Sequence, residues 1–316
     1  MSLRVAVQMD PLEKINISGD STFALMLSAQ SRGHKLFHYL ADALTYEQGR
    51  LYAGAHPVTV QPTAGAHFTL GDFEILDLAR DVDVVLMRQD PPFDLGYITA
   101  THLLERIQGE TLVVNDPAAV RNAPEKVFVL DFARFMPPTM VTRSLGAARK
   151  FLDEHGDIVL KPLHGFAGGS VFRIQNDRAN LSALMELFNA TYREPHMLQA
   201  FLPEVSKGDK RIVLVEGEVA GAINRRPGAG EFRSNLAVGG TAEGTELTDG
   251  EREICEALGP ELKRRGLLFV GIDVIGGRWL TEINVTSPTG IVAIDRFNGT
   301  DTPGLIWHAI ERKLTN

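Results

Sequence analysis

Three oxygen-bearing side chains lie close together in the C-terminal part of the sequence. Asp273 stands in the segment FVGIDVIGG, and Glu282 and Asn284 stand in the segment LTEINV that follows it. The pair Gly276–Gly277 at the end of the first segment suits the positive φ angles of a two-residue hairpin turn. In this register Asp273 lies opposite Leu280. Alternation along both strands then places the three polar side chains on one face.

The opposite face of the predicted hairpin is apolar, as expected for a sheet that packs on a core. Its residues are Ile272, Val274, Trp279, Ile283 and Val285. On the polar face Asp273 and Glu282 are diagonal neighbours, about 7–8 Å apart at Cα, and long acidic side chains can close that distance onto one ion. Oxygen ligands without histidine or thiolate favour magnesium or manganese over zinc. The alternative is a solvated sheet face, with Arg278 as its nearest counterion.

A glycine-rich segment, LKPLHGFAGGSVF, could bind phosphate. Lys161 ends one predicted strand, and Gly165, Gly168 and Gly169 precede the next. Glycines allow backbone N–H groups to approach phosphate oxygens, although the order of residues is not that of a Walker A loop. Lys126, further upstream, makes a clamp of two lysines conceivable. An ordinary flexible hairpin turn is the alternative.

The segment NRRPGAGEFRSNLAVGG (224–240) is rich in glycine and arginine. Arg225, Arg226 and Arg233 suit a mobile lid that closes over anions and excludes water, and a disordered surface loop is the alternative. Arg211, in GDKRIVLV, is a further candidate anion contact. A two-residue turn at Glu216–Gly217 would place Arg211 and Arg225 on opposite faces, whereas a bulge would bring them together. The sequence leaves this open.

Composition bounds the class of protein. The chain has 316 residues, of which 44% are hydrophobic and 23% charged, as in ordinary globular proteins. A formal net charge of −8 argues against a general nucleic-acid binder, so a site for anions must gather its basic residues locally. The single cysteine, Cys255, excludes an internal disulfide and a multi-cysteine zinc site. We find neither a basic leader with an apolar segment nor an apolar run of the roughly 18 residues that a membrane span needs, and we expect a cytoplasmic protein.

The order of the predicted helices and strands changes along the chain. Residues 3–40 read as one βαβ unit, and further strands at 82–87 and 111–115 extend an open α/β layer over about the first 120 residues. No G-x-G-x-x-G follows the first strand of this layer, so a Rossmann dinucleotide site has no support from the sequence. Two strands flank the glycine-rich turn in 157–174, and strands joined by short turns follow from residue 197. We expect domain boundaries near residues 120 and 200.

These segments, in this order, resemble the ATP-grasp ligases. With QMDPLEKINISGDSTFALMLSAQSRGH and VVLMRQDPPFD near the N-terminus, the resemblance narrows to the bacterial-type glutathione synthetase family and covers essentially the whole chain. It implies an α/β (α+β) fold: an N-terminal open α/β substrate domain (1–122), then a two-part ATP-grasp fold made of a central lid subdomain (123–200) and a catalytic domain (201–316). It also implies ATP as co-substrate, two Mg²⁺ ions with Mn²⁺ possible, and a homo-oligomer, a dimer or tetramer.

The resemblance assigns roles by position. Lys126, Lys161 and the loop Gly165–Ser170, including Gly168 and Gly169, correspond to phosphate contacts. The ATP-binding set continues with Gln199, Ala200, Phe201 and Leu202 at the adenine segment. Asp273, Glu282 and Asn284 fall at metal ligands, Arg211 and Arg225 at catalytic arginines, and Arg226 and Arg233 in the lid loop. Substrate positions are Arg88, Asn16, Arg225, Ser287 and Thr289. His164, Gln89, Thr241 and Trp279 depart from the family pattern, which bears on substrate contacts.

The implied reaction joins γ-glutamylcysteine to glycine through an acyl phosphate, with γ-phosphate transfer from ATP. Two alternatives remain. Another ATP-grasp carboxylate–amine ligase, of the D-alanine–D-alanine or amino-acid type, would share the metal hairpin and the lid. A non-catalytic nucleotide-binding regulator would not need the intact set of lysines and oxygen ligands.

Overall fold

The computed structural model describes residues 2–166, 168–236 and 239–315. Ala167 of the predicted phosphate loop, and Ala237 and Val238 of the predicted lid, lie outside these ranges.

The first of three sheets in the described residues contains eight strands. They are β1 (Arg4–Gln8), β2 (Lys35–Tyr39), β3 (Leu44–Glu47), β4 (Arg50–Val60), β5 (Phe68–Leu70), β6 (Glu74–Asp77), β7 (Val84–Met87) and β8 (Leu112–Val114). The main order is β3-β4-β2-β1-β7-β8, with β5 and β6 also paired to β4. β1 runs parallel to both β2 and β7, which confirms the predicted βαβ unit and the open α/β layer. The antiparallel strands β3 to β6 were not predicted.

The second sheet has four strands and the third has five. The second contains β9 (Thr139–Thr142), β10 (Ile158–Pro162), β11 (Phe172–Ile174) and β12 (His196–Ala200), in the order β11-β10-β12-β9. The third contains β13 (Asp209–Val215), β14 (Glu218–Arg226), β15 (Thr241–Gly244), β16 (Phe269–Ile275) and β17 (Trp279–Asn284), in the order β15-β14-β13-β16-β17. Both are antiparallel. They carry the predicted glycine-rich turn and the hairpin with the predicted metal ligands.

The α-helices in the described ranges cover these sheets. They are α1 (Ser21–Ser31), α2 (Leu95–Leu104), α3 (Pro117–Arg121), α4 (Glu125–Phe128), α5 (Leu145–His155), α6 (Leu181–Thr191), α7 (Asp249–Arg264), α8 (Ile291–Asn298) and α9 (Thr302–Thr315). Asp20 caps α1 by accepting a hydrogen bond from the backbone N–H of Phe23 at 2.6 Å. Thr248 and Glu251 form a capping box at the start of α7. None of the helices described here is both long enough and apolar enough to cross a membrane.

The β16–β17 hairpin differs from the predicted register. Ile275 pairs with Trp279, so three residues form the turn, and a bulge at Thr281 shifts the pairing. Asp273 consequently lies directly opposite Glu282, not opposite Leu280, and Leu280 is fully buried in the core. Trp279 shares the face of Asp273, so its prediction as a core-face residue is wrong. The turn is one residue longer than predicted, which moves Trp279 to the face of Asp273. The extra residue at Thr281 then restores the predicted alternation, so Glu282 and Asn284 keep their predicted face.

A bulge in the β13–β14 hairpin determines whether Arg211 and Arg225 lie on the same face. In the β13–β14 hairpin, Val213 pairs with Gly221 and Leu214 with Val219, which leaves one extra residue between them on β14. Arg225 therefore lies opposite Asp209. Since Asp209 and Arg211 are two residues apart on one strand, all three side chains emerge on one face.

The side chain of Asn115 joins the first sheet to the third. Its Nδ2 donates to the carbonyl oxygens of Phe269 at 2.7 Å and Val285 at 2.9 Å. Its Oδ1 accepts from the backbone N–H of Phe269 at 2.8 Å. This buried carboxamide thus makes three hydrogen bonds to the third sheet from the end of β8.

Candidate active site

Two cavities meet at Glu282. The first cavity lies between the four-stranded and five-stranded sheets, and the second lies between the five-stranded sheet and the loops after β7. Both are lined in part by Glu282 and Asn235. A group bound in one cavity can therefore reach a group bound in the other at this carboxylate.

The first cavity has an apolar end and a basic end. Its lining includes Pro137, Val159, Lys126, Lys161, Gly165, Gly168, Gly169, Gln199, Ala200, Phe201, Leu202, Val205, Phe232, Arg233 and Ile275. The apolar side chains suit a planar base, and the backbone of Gln199–Leu202 supplies polar groups beside it. Two lysines and the glycine-rich loop form the other end. This division matches the two ends of a nucleotide.

Lys126 and Lys161 converge on the same carboxylate oxygen. Their Nζ atoms lie 3.4 and 3.6 Å from Oε1 of Glu282, and Lys126 also donates to the carbonyl of Gly165 at 2.6 Å. Burial opposes the charge on each lysine, and it lowers the pKa of Lys161, which has another lysine beside it. For Lys126 the carboxylates of Glu282 and Glu125 more than offset burial, and the pKa is raised.

Glu282 is ionised because of this pair of lysines. Burial by itself would raise the pKa of this carboxyl group, but the ammonium groups of Lys126 and Lys161 outweigh burial and lower it. The result is a compact arrangement of two cations around one anion at the boundary of the cavities. An anionic phosphate would add the negative charge that this cluster lacks.

The second cavity collects most of the predicted catalytic and substrate residues. Its lining includes Asp90, Glu125, Arg211, Arg225, Glu282, Asn284, Thr286, Ser287, Thr289 and Gly290. Arg211 also donates to the carbonyl of Thr289 at 3.3 Å, which connects the arginine to the loop that follows the metal hairpin.

Arg211 and Arg225 lie on one face of the five-stranded sheet, and both contact the carboxylate of Asp273. Arg211 holds both oxygens of Asp273, with Nε–Oδ1 at 2.6 Å and Nη2–Oδ2 at 3.0 Å. Arg225 Nη2 lies 2.8 Å from Oδ1 of the same carboxylate. Burial opposes ionisation of Asp273, but the two guanidinium groups outweigh it and hold the pKa well below its usual range. Asp273 therefore stays anionic and fixes both arginines at the cavity wall.

Asp209 is a buried member of this network that the sequence reasoning missed. Its Oδ2 accepts from Arg225 Nη2 at 2.7 Å and from the hydroxyl of Ser234 at 3.0 Å, while Oδ1 has no partner among the described residues. Burial, together with the nearby charge of Asp273, raises the pKa of Asp209 to about 6. Its position two residues before Arg211 was a signal, since strand alternation puts both side chains on the same face.

The oxygen ligands fit a hard divalent ion in type. Glu282 and Asn284 present a carboxylate and an amide at the cavity wall, beside Asp273. Asn284 Nδ2 donates to the carbonyl of Gly271 at 3.2 Å and lies 3.4 Å from Oδ2 of Asp273. Each oxygen of Asp273 already accepts from a guanidinium, so an ion there would compete with an arginine. Among the described residues, no three His, Cys, Asp or Glu side chains are grouped for a metal.

Two side chains of the lid loop, Arg233 and Ser234, hold the loop in place beside the first cavity. Arg233 lines that cavity, donates to the carbonyl of Gly168 at 3.0 Å and pairs with Glu231 at 2.6 Å. The buried hydroxyl of Ser234 reaches Asp209. The loop thus lies over the glycine-rich turn and is fastened to the arginine network.

Besides Asp273, four predicted site residues lie outside the linings of the two cavities. Ser170 accepts a hydrogen bond from the hydroxyl of Tyr192 at 3.1 Å. Asn16 is exposed and caps a local turn through Ser18. Arg226 is exposed and pairs with Glu243 at 2.8 Å.

Arg88, the fourth of these residues, is buried beneath the second cavity. It donates to Thr22 Oγ1 at 3.1 Å and to the carbonyl of Pro288 at 2.8 Å. This places it behind the loop that carries Ser287 and Thr289, both of which line the cavity.

The fold is the ATP-grasp fold with an N-terminal α/β domain. The chain superposes on the crystal structure of D-cycloserine synthetase DcsG with a TM-score of 0.70, at 17% identity, over 98% of this chain and 99% of the other. ATP-grasp ligase PsnB, complexed with minimal precursor, Mg and ADP, gives a TM-score of 0.64 at 19% identity, over 98% and 97%. At these identities the likeness concerns the fold.

Sequence similarity identifies the family. Residues 3–121 match the N-terminal domain of prokaryotic glutathione synthetase, and residues 125–299 match its ATP-grasp domain. The chain is 56% identical to the glutathione synthetase of Bradyrhizobium diazoefficiens over 99% of both chains. It is 53% identical to that of Agrobacterium fabrum, over 98% of this chain and 96% of the relative. The chain belongs to the prokaryotic glutathione synthetase family.

Proposed function

We propose that this chain joins γ-glutamylcysteine and glycine to form glutathione, with ATP converted to ADP and phosphate. Family membership supports an ATP-dependent ligase, and the observation that carries the proposal is that Glu282 lines both cavities. The nucleotide occupies the first cavity with its phosphates toward Lys126 and Lys161. The cysteinyl carboxylate occupies the second, next to the same lysines.

The first step transfers a phosphoryl group. A carboxylate oxygen of γ-glutamylcysteine attacks the γ-phosphorus, and the bond to the β,γ-bridging oxygen breaks as ADP leaves. Lys126 and Lys161 offset the charge on the moving phosphoryl group, and backbone N–H groups of the glycine-rich loop orient it. The product is an acyl phosphate, in which phosphate is the leaving group that a free carboxylate lacks.

The second step forms the amide bond. The amine of glycine attacks the acyl carbon, and Arg225 and Arg211, held by Asp273, stabilise the oxyanion that develops. Collapse of the tetrahedral species releases phosphate. The lid over 226–241, fastened through Arg233 and Ser234, keeps water from the acyl phosphate.

We propose that Glu282, Asn284 and Asp273 hold Mg²⁺, as two ions, with Mn²⁺ as a substitute. A bound ion would neutralise phosphate charge and orient the oxygens for transfer. We also propose the domain division at residues 122 and 200, a cytoplasmic location and a dimeric or tetrameric assembly. Light scattering on the purified chain tests the assembly.

Phosphate release tests the function. ATP and Mg²⁺ are supplied with γ-glutamylcysteine, with glycine, with both, or with D-alanine. We expect sustained release only when both glutathione precursors are present. Release driven by D-alanine alone would contradict the proposal and favour a D-alanine–D-alanine type of ligase.

A further inference from the structure

Glu125 is a carboxylate of the second cavity for which the reaction above has no role. It is the first residue of α4, directly before Lys126, and it faces the cavity together with Glu282 and Arg211. Pro124 precedes it, and the fixed φ of proline sets the entry to this short helix. The same turn of chain therefore places a cation toward the phosphates and an anion toward the substrate.

Three carboxylates line the second cavity, and they differ in their partners. Glu282 is held by two lysines, 3.4 and 3.6 Å away. Asp90 is exposed at the mouth, and its backbone N–H donates to Asp10 at 2.8 Å. The side chain of Glu125 accepts one hydrogen bond within the described residues, from the hydroxyl of Thr286 at 2.9 Å on Oε1. Its second oxygen is available to a ligand.

Glu125 lies beside the boundary where the two cavities meet. Thr286 follows Asn284 by two residues, and Ser287 follows Thr286, so Glu125 contacts the strand end that passes from the proposed metal ligands to the substrate loop. Lys126, its neighbour in sequence, reaches Glu282 at the boundary of the two cavities. Under the proposed function the acyl phosphate forms at that boundary, beside the space that Glu125 faces.

The amine of the second substrate must lose a proton before it can attack, and the free oxygen of Glu125 can accept that proton. An amino acid reaches the enzyme with its nitrogen as an ammonium ion, and the arginines and lysines of the site repel that charge. Attack on the acyl carbon also requires a free lone pair on nitrogen. A carboxylate with one unused oxygen offers both an ion pair and a place for the proton.

We propose that Glu125 is the catalytic residue that binds the ammonium group of glycine and accepts its proton. This inference rests on the proposed function. One N–H proton moves to the free oxygen of Glu125, and the nitrogen lone pair forms the N–C bond. The C–O bond to phosphate then breaks, its electron pair leaves with phosphate, and the second proton from nitrogen goes to that phosphate.

The electrostatic surroundings suit this role. The charged groups that face Glu125 are Lys126 on its own helix, Glu282 on β17 and Arg211 on β13. Burial, assisted by the charge of Glu282, raises the pKa of Glu125, and the neighbouring cations only partly offset this. A carboxylate with a raised pKa is a stronger base than an exposed one.

Kinetics of Glu125→Gln test the proposal. Glutamine retains the size of the side chain and can still accept from Thr286, but it has neither the charge nor the basicity. With ATP and γ-glutamylcysteine saturating, we expect kcat/KM for glycine to fall at least tenfold while KM for ATP and for γ-glutamylcysteine changes less than twofold. Glu218→Gln, an exposed carboxylate at the start of β14, serves as the control and should match the wild type.

Hydroxylamine separates this step from the first one. It is largely uncharged at neutral pH and traps an acyl phosphate as a hydroxamate without needing an ammonium site. We expect Glu125→Gln to form hydroxamate from γ-glutamylcysteine and ATP at the wild-type rate. Unchanged glycine kinetics, or an equal loss of glycine and hydroxylamine reactions, would overturn the role of Glu125. Absence of hydroxamate with the wild type would instead contradict the acyl-phosphate function.

Discussion

Both oxygens of Asp273 are held by Arg211, at 2.6 Å from Nε and 3.0 Å from Nη2. This two-point contact fixes the plane of the guanidinium as well as its position, so Arg211 is oriented before any substrate binds. Arg225 shares the same carboxylate at 2.8 Å. The site therefore carries two oriented cations at the cavity wall, held by one buried anion.

Replacing Arg211 with lysine tests that orientation. Lysine retains the positive charge but cannot bind both oxygens in one plane. We expect kcat to fall ten- to a hundredfold, since hydrogen bonds to charged groups contribute about 1.5–3 kcal/mol. Unfolding should shift little, because Arg225 still pairs with Asp273. A variant with wild-type kcat would show that charge alone is sufficient.

The proposed metal ligands can be separated from ordinary surface acids. Glu282→Gln and Asn284→Ala should each lower turnover by more than a hundredfold and weaken binding of Mn²⁺, followed by electron paramagnetic resonance. Glu243→Gln provides the control, because Glu243 lies in the same sheet and pairs with the exposed Arg226. Wild-type turnover and Mn²⁺ binding in either ligand variant would refute the metal assignment.

The two lid arginines should behave differently, although the sequence treats them alike. Arg233 lines the first cavity and donates to Gly168, whereas the side chain of Arg226 is 55% exposed. We expect Arg233→Ala to raise KM for ATP about tenfold, which corresponds to about 1.4 kcal/mol. Arg226→Ala should change KM for ATP less than twofold, since exposed ion pairs contribute little. Equal effects in the two variants would contradict the placement of the lid.

Asp209 should make stability depend on pH. Its pKa is raised from 3.8 to about 6 in the folded chain, so the folded state binds this proton more tightly than the unfolded state does. The resulting stabilisation is complete below pH 3.8 and is lost as the pH rises through about 6. Between pH 7 and pH 5, the wild type should therefore gain about 1 kcal/mol in free energy of unfolding relative to Asp209→Asn.

Denaturant titrations at the two pH values measure this difference. Other titrating groups are common to both chains, so they cancel in the comparison. An identical pH dependence in the two chains would show that Asp209 is ionised throughout that range.

Thr248→Ala tests a contribution to stability that lies outside the cavities. Thr248 accepts from the backbone N–H of Glu251, and the Glu251 side chain accepts from the backbone N–H of Thr248 at 2.8 Å. Loss of this capping box should lower the free energy of unfolding by about 1–2 kcal/mol and leave kcat unchanged. A large fall in kcat would instead indicate that α7 helps to position β13 through Lys210, which pairs with Glu251 at 2.6 Å.

Periodicity in the sequence predicted the faces of the site better than the register of its strands. The same-face placement of Asp273, Glu282 and Asn284 is found in the structure, but the two-residue turn that led to it is not. The turn is one residue longer than predicted, and the bulge at Thr281 adds one more residue. Together they leave Glu282 and Asn284 on the predicted face of the hairpin. Bulges are not visible in the alternation of residue types, which is also why the relation of Arg211 to Arg225 was undecided from sequence.

Contacts between segments far apart in the sequence are a second feature of the site that could not be predicted from the sequence. The lysines and the glycine-rich loop could be picked out by composition, yet their convergence on Glu282 depends on how two sheets pack. Glu125 and Asp209 each lie within two residues of a predicted site residue, and neither stood out because an acid near a basic residue is common on surfaces. Burial gives them their significance, and only the structure supplies it.

The carboxamide of Asn115 has a mechanical consequence. Its three hydrogen bonds to Phe269 and Val285 connect the end of β8 to the five-stranded sheet. Separation of the two sheets would break all three bonds in the buried interior, which opposes movement of one sheet relative to the other. The first cavity has the four-stranded sheet as its other wall. If the first cavity opens to admit a nucleotide, the four-stranded sheet is the wall that can move without breaking these three bonds.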